Sequence, residues 1–371
     1  MRLNKVAWFA AFVLTVWFVD RACGQTIRER IRERRAARRG AISRPTEIAG
    51  ANGATTCGGR PNVGFRILRF SSGLRAAVWY PVLDAERSFG YANGLTSGVS
   101  ENSPVATCGK YPVIVFSHGF GGCSTQSLFV TEELARNGYV VVAPDHKDAG
   151  CKVDEPRRGF LFERAEEPFR RPEKWSERTF IDRRNDIRAV LDELPEMPEF
   201  AGRVDMDRVA GMGHSLGGYT VMAMAGAWRS WKDPRIKAVL LFSPYAAPFL
   251  SHSTVRGIEV PVMYQGGQRD RGITPYVKKA GGVYDLSNAP KYFVEFRNQG
   301  HLDWTVRACR NAGSVASCIS ANPNVRAINE NAIAFLQTYV PGGVAGANRP
   351  AVDLKSGPVD RTVVSDYRAK Q

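Results

Sequence analysis

Residues 209–227, VAGMGHSLGGYTVMAMAGA, decide the fold of this chain. Val209–Gly213 is apolar or small and reads as the end of a buried strand. The Ala- and Met-rich run from Leu216 to Ala227 reads as a helix. Between them stands Gly-x-Ser-x-Gly, with Ser215 flanked by Gly213 and Gly217. A strand that passes directly into a helix must turn sharply, and glycine on either side of the serine removes side chains that would collide there. Such a turn lifts the serine hydroxyl above the sheet and aims the helix N-terminus at it. The five-residue pattern is weak alone, because Gly and Ser are common. The strand before it and the helix after it give it weight against a plain structural turn.

The same alternation runs outward in both directions. Tyr111–Ser117 (YPVIVFS) and Tyr139–Ala143 (YVVVA) are almost wholly apolar, as strands covered on both faces are. Thr125–Asn137 between them is a helix, closed by Gly138. Phe180–Leu194 has apolar residues at 180, 181, 187, 190, 191 and 194, a helical spacing that Pro195 stops. Ile236–Phe242, Val260–Tyr264 and Lys291–Phe296 read as strands, and Val325–Tyr339 as a last amphipathic helix. Upstream, residues 63–70 and 74–82 read as a β-hairpin. Strand and helix in alternation imply an α/β fold: a mostly parallel sheet with right-handed crossovers and helices on both faces. There is no internal repeat.

A serine hydroxyl needs a base to take its proton. Where the nucleophile sits on such an elbow, the order along the chain is Ser, acid, His. The chain has five histidines, at 118, 146, 214, 252 and 301. Three precede Ser215, and only Asp233, at the start of a strand, separates Ser215 from His252. His301, directly after the last predicted strand, is therefore the expected base. Among the acids before it, Asp270 follows Val260–Tyr264 through Gln265-Gly266-Gly267, at the strand ends where such sites gather. Glu259 and Glu295 lie at or in strands, and Asp285 before a strand is the competitor. The two amides needed for an oxyanion are expected from Leu216, after the nucleophile, and from Phe120 in Ser117-His118-Gly119-Phe120-Gly121-Gly122. Tyr245 and Trp304 are candidate substrate contacts. No metal is expected, since neither His-Glu-x-x-His nor another cluster of ligand spacing occurs, and no cofactor is expected.

The ends of the chain read differently. Val6–Val19 is a run behind Arg2 and Lys5 that is apolar at every position but Thr15, too short to cross a bilayer as a helix. Residues 1–24 thus read as a signal peptide, with an uncleaved anchor as the alternative. Six cysteines remain beyond it, an even number that suits disulfides in an oxidising compartment. Cys309 with Cys318 and Cys123 with Cys151 are the favoured pairs, leaving Cys57 with Cys108. The formal charge of +15 is uneven: Thr26–Gly40 holds seven Arg against two Glu. Residues 25–60 therefore read as an arginine-rich linker, solvated or touching an anionic surface, and not as a nucleic-acid-binding face. The catalytic domain is expected over 61–340 and a C-terminal tail over 341–371.

The segments PVIVFSHGFGG, ARNGYVVVAPDH, RRNDIRAVLDEL and DRVAGMGHSLGGYT resemble the platelet-activating factor acetylhydrolase and dienelactone hydrolase-like group. That group overlaps in motif style with bacterial cutinases and polyester hydrolases. The resemblance covers about residues 61–340 and implies the α/β-hydrolase fold. It implies a secreted, calcium-independent serine esterase for short or modified acyl esters, with a small ester, a phospholipid or a polyester as substrate. Dienelactone hydrolases carry Cys where this chain has Ser215, which points away from that activity. A catalytically inactive binding protein on the same fold is the reading of another class. Residues 147–178 are longer than the matching loop of compact polyester hydrolases and hold 17 charged residues among Phe160, Phe162, Phe169 and Trp175. They read as a solvated surface loop or as a lid.

Overall fold

A computed structural model describes residues 59–151, 164–342, 352–358 and 361–371. The expected signal peptide, nearly all of the arginine-rich linker, Cys57, Phe160 and Phe162 lie outside the described residues. In chain order the strands are β1 (Asn62–Arg69), β2 (Arg75–Val82), β3 (Arg87–Gly90), β4 (Thr96–Glu101), β5 (Tyr111–Ser117) and β6 (Val140–Pro144). They continue as β7 (Val204–His214), β8 (Ile236–Phe242), β9 (Val262–Gly267), β10 (Lys291–Phe296) and β11 (Val364–Lys370). The sheet order is β11-β10-β9-β8-β7-β5-β6-β2-β1-β4-β3. From β6 to β10 every neighbouring pair is parallel. The β1–β2 hairpin joins antiparallel through β2 and β6.

Burial explains the parallel centre. β5, β6, β9 and β10 are buried at every residue, and alternate side chains enter two different cores. Val113 and Val115 of β5 face one core, with Ile187, Val190 and Leu191 of helix α2 (Ile181–Glu193) and Tyr219 and Val221 of α3 (Leu216–Met222). Ile114 and Phe116 face the other, with Leu128 and Leu134 of α1 (Leu128–Arg136) and Ile328 and Phe335 of a long helix, Pro323–Tyr339. That last helix begins two residues earlier than its periodicity predicts. Asn322 caps it by accepting from the amides of Asn324 and Val325, and Pro323 suits the first turn. The helix after Ser215 is shorter than expected, because residues 223–227 widen into a π-turn at Gly226 (φ 123°).

One boundary needs correction. Residues 341–371 were expected to be a tail, yet Val364–Lys370 pairs antiparallel with β10 and closes that edge of the sheet. Its charged side chains are accommodated: Arg368 donates to Asp366 and to the Lys278 carbonyl, with its guanidinium over Phe293. Charge of this kind is tolerated at an edge and protects it from pairing with another chain. Cys123–Cys151 and Cys309–Cys318 are both bonded, as expected.

Candidate active site

Ser215 sits where β7 turns into α3, with φ 53° and ψ −117°, a conformation strained for a non-glycine residue. The flanking glycines are required by contact. A Cβ on Gly217 would lie 1.8 Å from the Ser117 carbonyl oxygen, and one on Gly213 would lie 2.3 Å from that of Gly217. Ser215 Oγ is 2.9 Å from His301 Nε2, and His301 Nδ1 is 3.0 Å from Asp270 Oδ2. Asp270 lies in the loop after β9 and His301 in the turn after β10. Both loops leave the same edge of the sheet as Ser215, because the strands that carry them are parallel. The competing acid, Asp285, is exposed and accepts from the Gly281 amide instead. For Nδ1 to donate to the carboxylate, Nε2 must be the acceptor, which is the form able to take a proton from Ser215.

A residue not expected from the sequence completes this line. Ser243, directly after β8, donates through Oγ to Asp270 Oδ2 and lies 3.0 Å from His301 Nδ1. Burial would raise the Asp270 pKa. The hydrogen bonds from His301 and Ser243 outweigh it and hold the carboxyl below its ordinary value, so it stays ionised. Ser243 could have been found from its position at a strand's C-terminal end, as Asp270 was.

Among the described residues, neither the Phe120 nor the Leu216 amide donates to a protein acceptor. Phe120 lines the cavity over Ser215, a Cβ on its neighbour Gly119 would come within 3.4 Å of the Ser215 Cβ, and Leu216 directly follows Ser215 in the chain. Two networks fix this loop. In one, Gly119 N–H donates to Gln126 Oε1, Gln126 Nε2 lies 3.2 Å from His214 Nδ1, and His214 Nε2 lies 2.8 Å from the His301 carbonyl oxygen. Burial, with His301 close by, depresses the His214 pKa to about 3, so this relay is neutral.

The second network is largely buried, with Asp186 at its partly exposed end. Arg183, wholly buried on α2, donates to both oxygens of Asp148 at 3.0 and 2.7 Å, to Ser117 Oγ at 3.2 Å and to the His118 carbonyl at 2.8 Å. Asp148 also accepts from the Gly121 amide. Ser117, His146 and Asp186 form a second Ser-His-Asp chain at 2.9 and 2.8 Å. Ser117 is fully buried and does not line the cavity, so this chain braces the loop and offers no nucleophile. Burial and the neighbouring Arg183 hold His146 well below its usual pKa, and burial raises Asp186 to about 7.

A cavity of about 1510 Å³ opens over Ser215 and His301, lined by Phe120, Phe169 and Tyr245 among others. Tyr245 stands where a substrate contact was expected, with its hydroxyl donating to the Phe169 carbonyl at 2.6 Å. Trp304 does not. It is fully buried, 3.5 Å through Nε1 from Gln265 Oε1, and packs against Phe296 in the core. The turn after His301 points it inward, so closeness in sequence did not become closeness at the site. The described part of the charged segment packs firmly: Trp175 is buried against Phe169, Phe180, Tyr219 and Tyr245.

A mostly parallel sheet with helices on both faces, and a serine on a strained strand-to-helix turn followed in order by Asp and His on later strand ends, is an α/β-hydrolase. Within that class, residues 73–158 match the family described as platelet-activating factor acetylhydrolase, isoform II, and residues 181–320 match PET hydrolase-like proteins. Platelet-activating factor acetylhydrolase of Cavia porcellus is 26% identical over 267 residues, covering 64% of this chain and 60% of that protein. The Canis lupus familiaris protein of the same name is 24% identical, covering 67% and 62%. Cutinase est1 of Thermobifida alba is 24% identical, covering 52% of this chain and 54% of its own length. The chain thus spans about three fifths of the length of the acetylhydrolases it matches. It resembles those acetylhydrolases and is related to cutinase, as its motifs imply.

Proposed function

We propose that this protein is an exported serine esterase that cleaves short-chain or modified acyl esters through an acyl-enzyme on Ser215. The observation that carries the reading is the continuous chain from Ser215 Oγ through His301 to Asp270, at 2.9 and 3.0 Å. Ser215 Oγ attacks the ester carbonyl while its proton passes to His301 Nε2. The tetrahedral oxyanion is held by the Phe120 and Leu216 amides, worth about 10²–10³ in kcat for each such donor. Collapse expels the alcohol, which takes the proton from His301. Water then gives a proton to the same nitrogen as it attacks the acyl carbon. Collapse of that second tetrahedral species breaks the bond to Ser215 Oγ, which takes the proton back from His301 as the acid leaves. Asp270, kept ionised, holds the imidazole in the one tautomer that serves both steps.

Two disulfides and the short apolar N-terminal run support export. The acetylhydrolase relatives support short or modified acyl groups, and the match over 181–320 supports polyester as a second substrate reading. A panel of 4-nitrophenyl esters from acetate to palmitate, with a polyester film beside it, separates them. The short-acyl reading expects kcat/KM to fall steeply with chain length, by about 1–3 kcal/mol for each methylene that does not fit. Equal turnover of long chains, or film degradation at comparable rates, would overturn it.

A further inference from the structure

Five arginines, Arg170, Arg269, Arg271, Arg307 and Arg310, line the cavity over Ser215. Among the described residues, the one carboxylate in that lining is Asp270, already committed to His301 and Ser243. The arginines arrive on three separate segments: Arg170 before the buried Trp175, Arg269 and Arg271 on either side of Asp270, and Arg307 and Arg310 after His301. All five are exposed, and among the described residues none of their guanidinium groups has an acceptor. Tyr276 and Leu302, the two most solvent-exposed large apolar side chains among the described residues, line the same cavity, at 46% and 43%. An apolar surface ringed by unpaired cations, with no free anion among the described residues that line it, is complementary to an apolar body that carries a negative charge.

We propose that the site selects esters bearing an anionic group, a carboxylate or a phosphate or phosphonate, several atoms from the scissile bond. This rests on the esterase reading and names its substrate class. Guanidinium forks hold either oxyanion in bidentate fashion, so the two chemistries share one recognition. Because the arginines sit at the mouth, the attraction is open to screening and must weaken with salt.

The test uses the full chain and a matched pair, 4-nitrophenyl valerate and 4-nitrophenyl hemiglutarate, which differ by a terminal methyl against a carboxylate. The 4-phosphonobutyrate ester is the second anionic arm. All are monomeric in solution. We expect kcat/KM at low salt to favour both anionic esters by about tenfold or more, falling toward parity at high salt. Arg269→Gln/Arg271→Gln and Arg307→Gln/Arg310→Gln should each lower the anionic-to-neutral ratio several-fold. Lys110→Gln/Arg203→Gln removes the same charge just before β5 and β7, at the opposite edge of the sheet, and should leave the ratio in place. Should a rim variant fail to fold, the salt dependence of the intact enzyme still decides. A ratio at or below one overturns the inference, as does an equal fall in the Lys110/Arg203 variant, which would make the effect bulk charge. A preference seen only when the ester is presented in phosphatidylglycerol vesicles also overturns it, in favour of a membrane surface. Turnover of neither ester would instead overturn the esterase reading and this inference with it.

Discussion

Replacing Arg183 by methionine should cost the protein about 3–5 kcal/mol, the usual penalty for removing one partner of a buried ion pair. The guanidinium is fully buried and Asp148 nearly so, and Arg183 holds both carboxylate oxygens while also reaching Ser117 and the His118 carbonyl. Methionine fills much of the volume but leaves Asp148 charged, buried and supported mainly by the Gly121 amide. For a large domain this corresponds to a fall in Tm on the order of 10 °C. The His118 carbonyl and the Gly121 amide bracket Phe120, so the loop that presents the Phe120 amide loosens too. We expect kcat to fall by about 10- to 100-fold, short of the full loss of an oxyanion donor, with KM changed less. Adding Asp148→Leu removes the stranded charge and should recover most of the stability but not the rate. The sign with pH follows from Asp148. Burial alone would raise its pKa, but Arg183 holds it below its ordinary value. The pair's contribution is therefore present above about pH 4, the unfolded carboxyl value, and is lost as pH falls through the lower folded one. Thermal unfolding and 4-nitrophenyl ester kinetics on the two variants read all of this. A loss below about 1 kcal/mol in Arg183→Met, or a double variant no better than the single one, would refute the reasoning.

Ser243→Ala removes a hydrogen bond to the Asp270 carboxylate and should lower kcat about tenfold with little change in KM. An unchanged kcat would reduce Ser243 to packing. Glu132 is a buried residue of α1, where burial, offset by hydrogen bonds from Ser97 and Tyr91, raises its pKa to about 7. The folded state then binds this proton more tightly than the unfolded chain. Its contribution to stability is full below about pH 4.5 and declines, by about 3 kcal/mol, as pH rises to 7. Denaturant titrations of Glu132→Gln should lack that decline, and parallel curves for the two proteins would contradict the assignment.

Which parts of this molecule could be read from sequence follows from how each is stabilised. YPVIVFS and KYFVEF declare themselves as strands because both faces are covered, and their observed bounds match the reading. β11, VSDYRAK, could not, since an edge strand needs only a few buried residues and Val364 is its one fully buried position. β3 and β4 are short, glycine-bearing and partly exposed, which removes periodicity as a signal. At the site, Ser215, Asp270 and His301 were legible because chemistry restricts their types and topology restricts their order. Ser243, Gln126, His214, Arg183 and Asp148 act by holding others. Residues of such common types carry no pattern until the fold brings them within 3.3 Å of what they hold.

Whether Ser215 is the nucleophile is decided most directly by covalent labelling. The full chain, treated with a fluorophosphonate and mapped by peptide mass spectrometry, should carry one equivalent of probe on Ser215, with esterase activity lost in step. Ser215→Ala should stay folded, take no label and keep only the small residual rate of binding and the oxyanion amides. A label on any other serine, or full activity in Ser215→Ala, would contradict the assignment.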